Sequence, residues 1–180
     1  MSEVKKRRRH IHPDRLPVEC DDGSFRVLLT RGMYAKIDPC DVEMISGHVW
    51  HAAGRPGFMY AVTRVGKKQV KMHRMIMGDP EGLFVDHINS ETMDNRRSNL
   101  RVATRRENAW NRSGLMPKNT SGYLGVTWHK INKKWSAVVS GVHVGYFDTA
   151  KEAAVARDKV AIAMHGEFAT LNQEEGENGK

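Results

Sequence analysis

Residues 85–112 read VDHINSETMDNRRSNLRVATRRENAWNR, a run that holds five asparagines and six arginines. The apolar stretch LFVDHI (83–88) predicts a strand ending on Asp86 and His87, and LRVATRREN (100–108) predicts a second short strand leading into a helix. Thr104 and Glu107 make a capping box, in which the hydroxyl accepts from the third helical N–H and the glutamate reaches back to the capping residue. The helix therefore starts at about Arg105 and carries Asn108 and Asn111 one turn apart on a shared face. A solvated polar loop has no need of such punctuation, so the run is expected to build a site.

Within it, Asp86, His87, Asn99 and Asn108 form a chemical set. A carboxylate and an amide oxygen are hard ligands suited to a magnesium-like ion that keeps several waters and binds phosphate oxygens. A neutral histidine beside such an ion can take a proton from water. An asparagine oxygen can accept from the other ring nitrogen and fix the basic tautomer.

Outward from this run, Phe25 to Val70 reads as short strands between turns: FRVLL, MYAKI, HVWHAA and FMYAVTRV, with turns at RG, GRPG and GKK. Asp38 and Pro39 suggest a cap for one helical turn through DVEMIS. In KMHRMIMG (71–78), Met72, Met75 and Ile76 share helical spacing and read as core. Residues 113–121, SGLMPKNTS, have loop composition and are taken as a linker. Beyond it YLGVTWH, WSAVVSG and VHVGYF predict three strands. A helix then spans Ala150 to His165, with a capping box in Thr149 and Glu152 and an apolar face of Ala153, Ala156, Val160, Ala163 and Met164.

The bulk numbers agree with two small domains. The chain has 180 residues, 29 Lys+Arg against 21 Asp+Glu, and a net charge of +8, which favours a polyanionic partner. The KKRRR block predicts a mobile basic arm, and the polar C-terminus a frayed tail. Cys20 and Cys40 are the two cysteines and make no CxxC pair, so neither a disulfide framework nor a thiolate zinc site is indicated. No apolar run approaches the roughly 20 residues of a membrane span, and a soluble protein of a reducing cytoplasm is expected.

The spacing of Asp86-His87, an asparagine twelve residues after the histidine and another nine further on, resembles the HNH nuclease motif with asparagine as its last residue. MDNRRSNLRVAT and MHRMIMG extend the likeness to phage and intron-encoded homing endonucleases over about residues 25–112. The resemblance implies a ββα-metal site in which Asp86 and Asn108 bind one divalent ion, Mg2+ or Mn2+. It makes His87 the general base and Asn99 the residue that orients it, with Asn95 supporting the loop. His73 matches the family's His-Arg step and is expected to be structural. Family members commonly have Asp-Gly where this chain has Asn89-Ser90, and Asn is expected to accept the turn. Arg96, Arg97, Arg101, Arg105, Arg106 and Arg112 are expected to cradle phosphates, about half of them touching DNA.

Residues 118–172, through YLGV, the glycine-aromatic step GYF, DT-KEAA-ARD and HGEFATLN, resemble the DNA-binding domain of plant ethylene-response factors. In that family a three-stranded sheet enters the major groove. The role maps here to Trp128, Lys130, Lys133, Lys134 and Trp135, with Thr127 and Ser136 as further candidates. Thr127 and His129 stand where arginines are typical, and Trp135 has an equal claim to packing on the helix.

The expected fold class is thus α+β: a basic arm (1–24), an HNH nuclease domain with a β-rich N-terminal part (25–112), a linker (113–121), a three-stranded antiparallel sheet plus one helix (122–172) and a tail (173–180). The expected function is metal-dependent hydrolysis of double-stranded DNA in a bacterial host's cytoplasm by a phage-type protein, without a membrane or small-molecule cofactor, and as a monomer. The rivals are a DNA-binding regulator with an inactive nuclease half and an RNA-binding protein using its tryptophans as a stacking platform.

Overall fold

A computed structural model describes residues 16–111 and 119–172. Residues 1–15, which hold the basic block, and Arg112, most of the expected linker and the tail lie outside the described residues. The chain divides into two compact units, Met1–Ala103 and Thr104–Lys180. This division falls before the helix that the sequence attaches to the nuclease segment.

The first unit is built from three small antiparallel sheets. Strands β1 (Val18–Glu19), β2 (Phe25–Leu28) and β3 (Tyr34–Ile37) form one sheet in chain order. Residues 18 and 19 pair with Arg26 and Phe25, so the expected arm to residue 24 gives way to structure within its last residues. A 3-10 turn at Pro39–Asp41 runs into α1 (Val42–Ser46). Asp38 does not cap it through its side chain; its carboxylate instead accepts from the Arg97 N–H at 2.6 Å.

Strands β4 (His51–Arg55), β5 (Phe58–Val65) and β6 (Lys68–Lys71) make the second sheet. The turn read at GKK is shorter than expected, because Lys68 already opens β6. The helix α2 (Met72–Ile76) follows without a break, and Met72 and Ile76 are buried as their spacing requires. Strands β7 (Phe84–His87) and β8 (Leu100–Ala103) pair as a two-stranded sheet, with Asp86 opposite Arg101 and His87 opposite Leu100.

One apolar core gathers the inward residues of these pieces: Val27, Ile37, Ile45, Trp50, Met72, Val85 and Leu100. The Trp50 indole N–H donates to the Ile45 carbonyl at 2.9 Å, so the ring is buried without an orphaned donor. Asp41 is fully buried, and Arg97 forks onto it, Nη2 to Oδ1 at 2.6 Å and Nε to Oδ2 at 3.0 Å. This bidentate pair ties the segment before β8 to the start of α1 across 56 positions.

The second unit opens with α3 (Arg105–Trp110), whose Thr104–Glu107 capping box is present. Strands β9 (Val126–His129), β10 (Lys134–Val139) and β11 (Val142–Phe147) form an antiparallel sheet in the order β11-β10-β9. The first strand starts three residues later than YLGV suggests, because Gly125 takes a turn conformation at φ +71°. A Cβ there would meet the Val138 carbonyl oxygen at 2.5 Å, so only glycine fits.

Helix α4 (Ala150–His165) follows with its capping box intact. Its buried stripe is Ala153, Ala154, Arg157, Ala161 and His165. The face expected from apolar residues is therefore rotated, and Ala163 and Met164 are exposed. Polar residues hold the stripe because they find partners. Arg157 donates to Asp158 and to the Thr170 carbonyl, and His165 bonds Ser140 at 3.0 Å. Asn172 links Asp158 to the Leu124 backbone, which closes the end of the chain onto its turn. Trp110 stacks on His165 with centroids 4.3 Å apart, and Thr170 donates to the Trp110 carbonyl at 3.1 Å, which fastens α3 to this unit.

Removing Arg97 leaves the Asp41 carboxylate buried without its cation. Arg97→Ala is expected to destabilise the protein by about 2–3 kcal/mol, less than a fully buried pair because Arg97 is itself half exposed. Urea unfolding of both proteins measures this, and a loss below about 0.5 kcal/mol would show that the fork is dispensable.

Candidate active site

The site residues of the first unit meet where β7 ends. Asp86 and His87 are consecutive strand residues, so their side chains leave opposite faces of the ribbon. The His87 imidazole is 5 % exposed, and its ring lies edge-on to His73 at 4.7 Å and tilted to Tyr60 at 6.2 Å. Tyr60 in turn lies 5.5 Å from His73. Burial lowers the His87 pKa; the polar side chain of Asn95, then the charges of Asp86 and Asp94, oppose that, and Lys71 adds to it. The balance is a neutral imidazole near pH 7, the form a base requires.

Asp86 is nearly buried and takes a fork of its own. Arg101 donates to its Oδ2 from Nε at 3.1 Å and from Nη2 at 3.0 Å, and both side chains are about nine-tenths buried.

Asn99 holds the loop between β7 and β8. Its Oδ1 accepts from the Asn89 N–H at 3.0 Å, its Nδ2 donates to the Asp94 carbonyl at 2.8 Å, and its own carbonyl accepts from the Ile88 N–H at 2.9 Å. The amide expected to orient His87 is thus committed to the loop backbone. Asn95 is the asparagine whose side chain acts on His87, and it is fully buried with Nδ2 on the Met93 carbonyl. The loop is also stitched to β3, with Lys36 N–H donating to Met93 O and Asn95 N–H to Lys36 O, each at 2.8 Å.

At the Asn89-Ser90 turn it is Ser90, not Asn89, that takes positive φ, at 65°. Asn89 Oδ1 accepts from the Glu91 N–H at 2.8 Å in an Asx turn, which explains an asparagine there.

The arginines divide. Arg96 forks onto Asp94, with Nε 2.8 Å from Oδ1 and Nη2 2.7 Å from Oδ2. With Arg97 on Asp41 and Arg101 on Asp86, the three arginines expected to cradle phosphate in this unit are each neutralised by a carboxylate. Arg105 and Arg106, on α3, are exposed, and the Arg106 guanidinium lies over the Trp110 ring at 5.2 Å. Asn108 is on the same helix, in the second unit, half-buried.

In the sheet of the second unit, cross-strand pairs set the faces. Trp128, Trp135 and Phe147 form one row, and Val126, Ala137 and Gly145 the next on the same side. Trp135 and Phe147 pack on the core with Ala137 and Ala153, so this face meets α4. Trp128 belongs to it too, edge-on to Trp135 at 5.2 Å and 44 % exposed. The opposite face carries Thr127, Ser136 and Tyr146 in one row and His129 beside Lys134. Tyr146 touches the rings of both His129 and His143, at 4.9 and 4.5 Å. Lys130 and Lys133 are exposed in the turn between β9 and β10. The sequence reading named His129 only as a departure from arginine and passed over Tyr146, which alternation along β11 places on the open face; His143 joins them through the register shift between Ala137 and Val138, which pairs it with Val138 and which alternation does not foretell.

The comparisons with known proteins converge on the same residues. Residues 68–110 match the family model of HNH endonucleases, a span from the start of β6 to the end of α3 that includes Asp86, His87, Asn99 and Asn108. The chain is 39 % identical over 62 residues to protein 3.8 of Escherichia phage T7, a match covering 34 % of this chain and 50 % of that protein. It is 28 % identical over 151 residues to an uncharacterized HNH endonuclease of Acanthamoeba polyphaga mimivirus, covering 79 % of this chain and 76 % of the relative. No solved structure gives a significant match. The mixture of helices and small antiparallel sheets is consistent with an α+β HNH nuclease, and among the described residues no helix is long and apolar enough to cross a membrane.

His73 is 4 % exposed, and burial, then the charges of His87, Lys71 and Arg74, push its pKa down to about 3. A histidine whose folded value lies below its unfolded 6.5 keeps its full contribution above pH 6.5 and loses it as the unfolded chain takes up the proton first. At pH 5 the loss is about 2 kcal/mol. Denaturation at pH 7 and pH 5 should therefore show a steeper fall for the natural protein than for His73→Phe; equal falls would mean that His73 protonates freely when folded.

Proposed function

We propose that the protein is a metal-dependent HNH endonuclease that hydrolyses phosphodiester bonds in double-stranded DNA, with the sheet of its second unit serving to bind DNA. The observation that carries this reading is the neutral, buried His87 beside Asp86 at the end of β7, on a loop clamped by Asn99, inside the span that matches HNH endonucleases.

By chemical type, the carboxylate of Asp86, which the Arg101 guanidinium holds in this structure, and the amide oxygen of Asn108 are ligands that a magnesium-like ion takes. Among the described residues no trio of His, Cys, Asp or Glu forms a metal cluster, whereas magnesium needs one or two carboxylates and keeps its waters. Asp86 and Asn108 would hold the ion, as the family resemblance implies. When bound, the ion would stabilise charge on the phosphate and on the leaving 3′ oxygen.

His87 removes a proton from the attacking water. Asn95 steadies the imidazole, and Asn99 acts one step further out by fixing the loop that carries both. The products carry 5′ phosphate and 3′ hydroxyl ends. In the second unit, Lys130, Lys133 and Lys134 lie at the turn and edge of the sheet. With His129 and Tyr146 on the open face, they offer the groove-facing surface that the ethylene-response-factor likeness implies. A separate binding module raises the local concentration of DNA at the nuclease unit.

Incubation with supercoiled plasmid, with magnesium or manganese or with chelator, tests the reading. His87→Ala is expected to abolish metal-dependent nicking, on the order of 100-fold or more, while duplex binding stays within about twofold. Binding without cleavage by the natural protein under all metals would favour a DNA-binding regulator instead.

A further inference from the structure

The charge pattern around His87 leaves a question that the nuclease reading does not answer: which cation of the first unit meets the phosphate. Arg96, Arg97 and Arg101 are each forked onto an aspartate. Lys68 and Arg74 share Asp79, at 3.3 and 2.5 Å. Among the described residues Lys71 makes no ion pair, and it is the cation whose charge acts on both His73 and His87.

Its position is built rather than incidental. Lys71 is the last residue of β6, and its ammonium lies 4.1 Å from the centroid of the Tyr60 ring, the same ring that packs near His73 and His87. The residue is exposed, yet desolvation at its ammonium, then repulsion from Arg74, lowers its pKa. It lines a groove of about 660 Å³ with Lys68, Arg74, Gln69 and Glu81. Two carboxylates line the same groove, Asp79, which is taken by Lys68 and Arg74, and Glu81; an accessible ammonium partly stripped of water, over an aromatic ring and in no ion pair among the described residues, is short of hydrogen-bond acceptors. A phosphate oxygen is the acceptor that a chain of this charge most often meets.

We propose that Lys71 is the phosphate-binding residue of the nuclease unit, donating to a non-bridging oxygen of the DNA strand presented to His87, and that the groove along β6 and α2 carries that strand. This rests on the nuclease reading for the identity of the strand. The arginines of the 96–101 segment then serve the scaffold, and Lys71 supplies the charge that they do not. As a compact point charge on a flexible stem, lysine suits an oxygen whose position shifts during in-line attack.

The test uses the full chain with Lys71→Met, which keeps the stem against Tyr60, and Lys71→Arg, which keeps the charge. Circular dichroism melting first establishes that each is folded; Lys71→Gln replaces the methionine variant if that one is not. Duplex binding in chelator is followed by anisotropy across a salt series, and plasmid nicking is followed with magnesium. Loss of one phosphate contact should reduce the slope of log K against log salt by about 0.9. Nicking should fall about 10- to 100-fold, and arginine should restore the slope and most of the nicking.

Unchanged slope and unchanged nicking in Lys71→Met would overturn the proposal and leave the nuclease reading standing. A folded Lys71→Arg as impaired as Lys71→Met would also overturn it, since charge would then not be the property that matters. If the natural protein binds but never nicks, the nuclease reading fails, and the slope alone decides whether Lys71 touches phosphate.

Discussion

The side-chain amide of Asn99 uses both of its ends inside the loop it closes, and the arrangement of the candidate site follows from that. By accepting from Asn89 N–H and donating to Asp94 O, it ties the start and the middle of the excursion between β7 and β8 to its end. An amide is suited to this because it donates and accepts at once; an aspartate in its place would turn a donor into a repelled acceptor against the Asp94 carbonyl. With the loop closed, Asn95 is carried into the interior next to His87, and Met93 and Asn95 bond Lys36 on the neighbouring sheet. His87, the proposed base, is then positioned by packing and by one buried amide, on a strand whose register with β8 also brings Arg101 to Asp86.

Electrostatics divides the arginines from the lysines. A guanidinium forks onto a carboxylate with two parallel hydrogen bonds, so arginines near aspartates become internal struts. Arg96, Arg97 and Arg101 have all met that fate, each on a carboxylate with little or no contact with water. The strut on Asp41 holds down the segment that leads into β8, and the one on Asp86 opposes a charge that the proposed chemistry needs. A dense arginine run is thus consistent with a protein that grips DNA largely by other residues.

The elements were legible from local signals, and their partners were not. Both capping boxes appear in the sequence as Thr and Glu three apart, and both are formed, because the box depends on nothing beyond four residues. The Met72–Ile76 helix was legible from spacing for the same reason. The buried stripe of α4 was misread because Arg157 and His165 look like surface residues in a list; they are buried because the Thr170 carbonyl and Ser140, 13 and 25 positions away, and the neighbouring Asp158 bond them. Asp86 and His87 stood out by type and spacing. The work of Asn99 as a clamp, and of Asn95 as the neighbour of His87, depends on how the loop folds back, which spacing alone does not encode.

The same reasoning separates the two faces of the second sheet. Tryptophans attract attention as stacking platforms, yet a strand that buries Val126 and Ala137 must bury or edge-pack whatever lies two residues away on the same side. Trp128 and Trp135 are therefore bound to the helix-facing row by the alternation that makes the domain fold. The opposite row exposes the hydroxyls of Thr127 and Tyr146, with His129 and His143 around the tyrosine ring, while Ser136 between them is buried. On the proposed reading, such a surface of hydroxyls and rings would read groove edges by hydrogen bonds and contact. Charge is supplied instead by the lysines of the β9–β10 turn, so that in this unit, as in the first, the residues that would attract the backbone are distinct from those that would select or cut it.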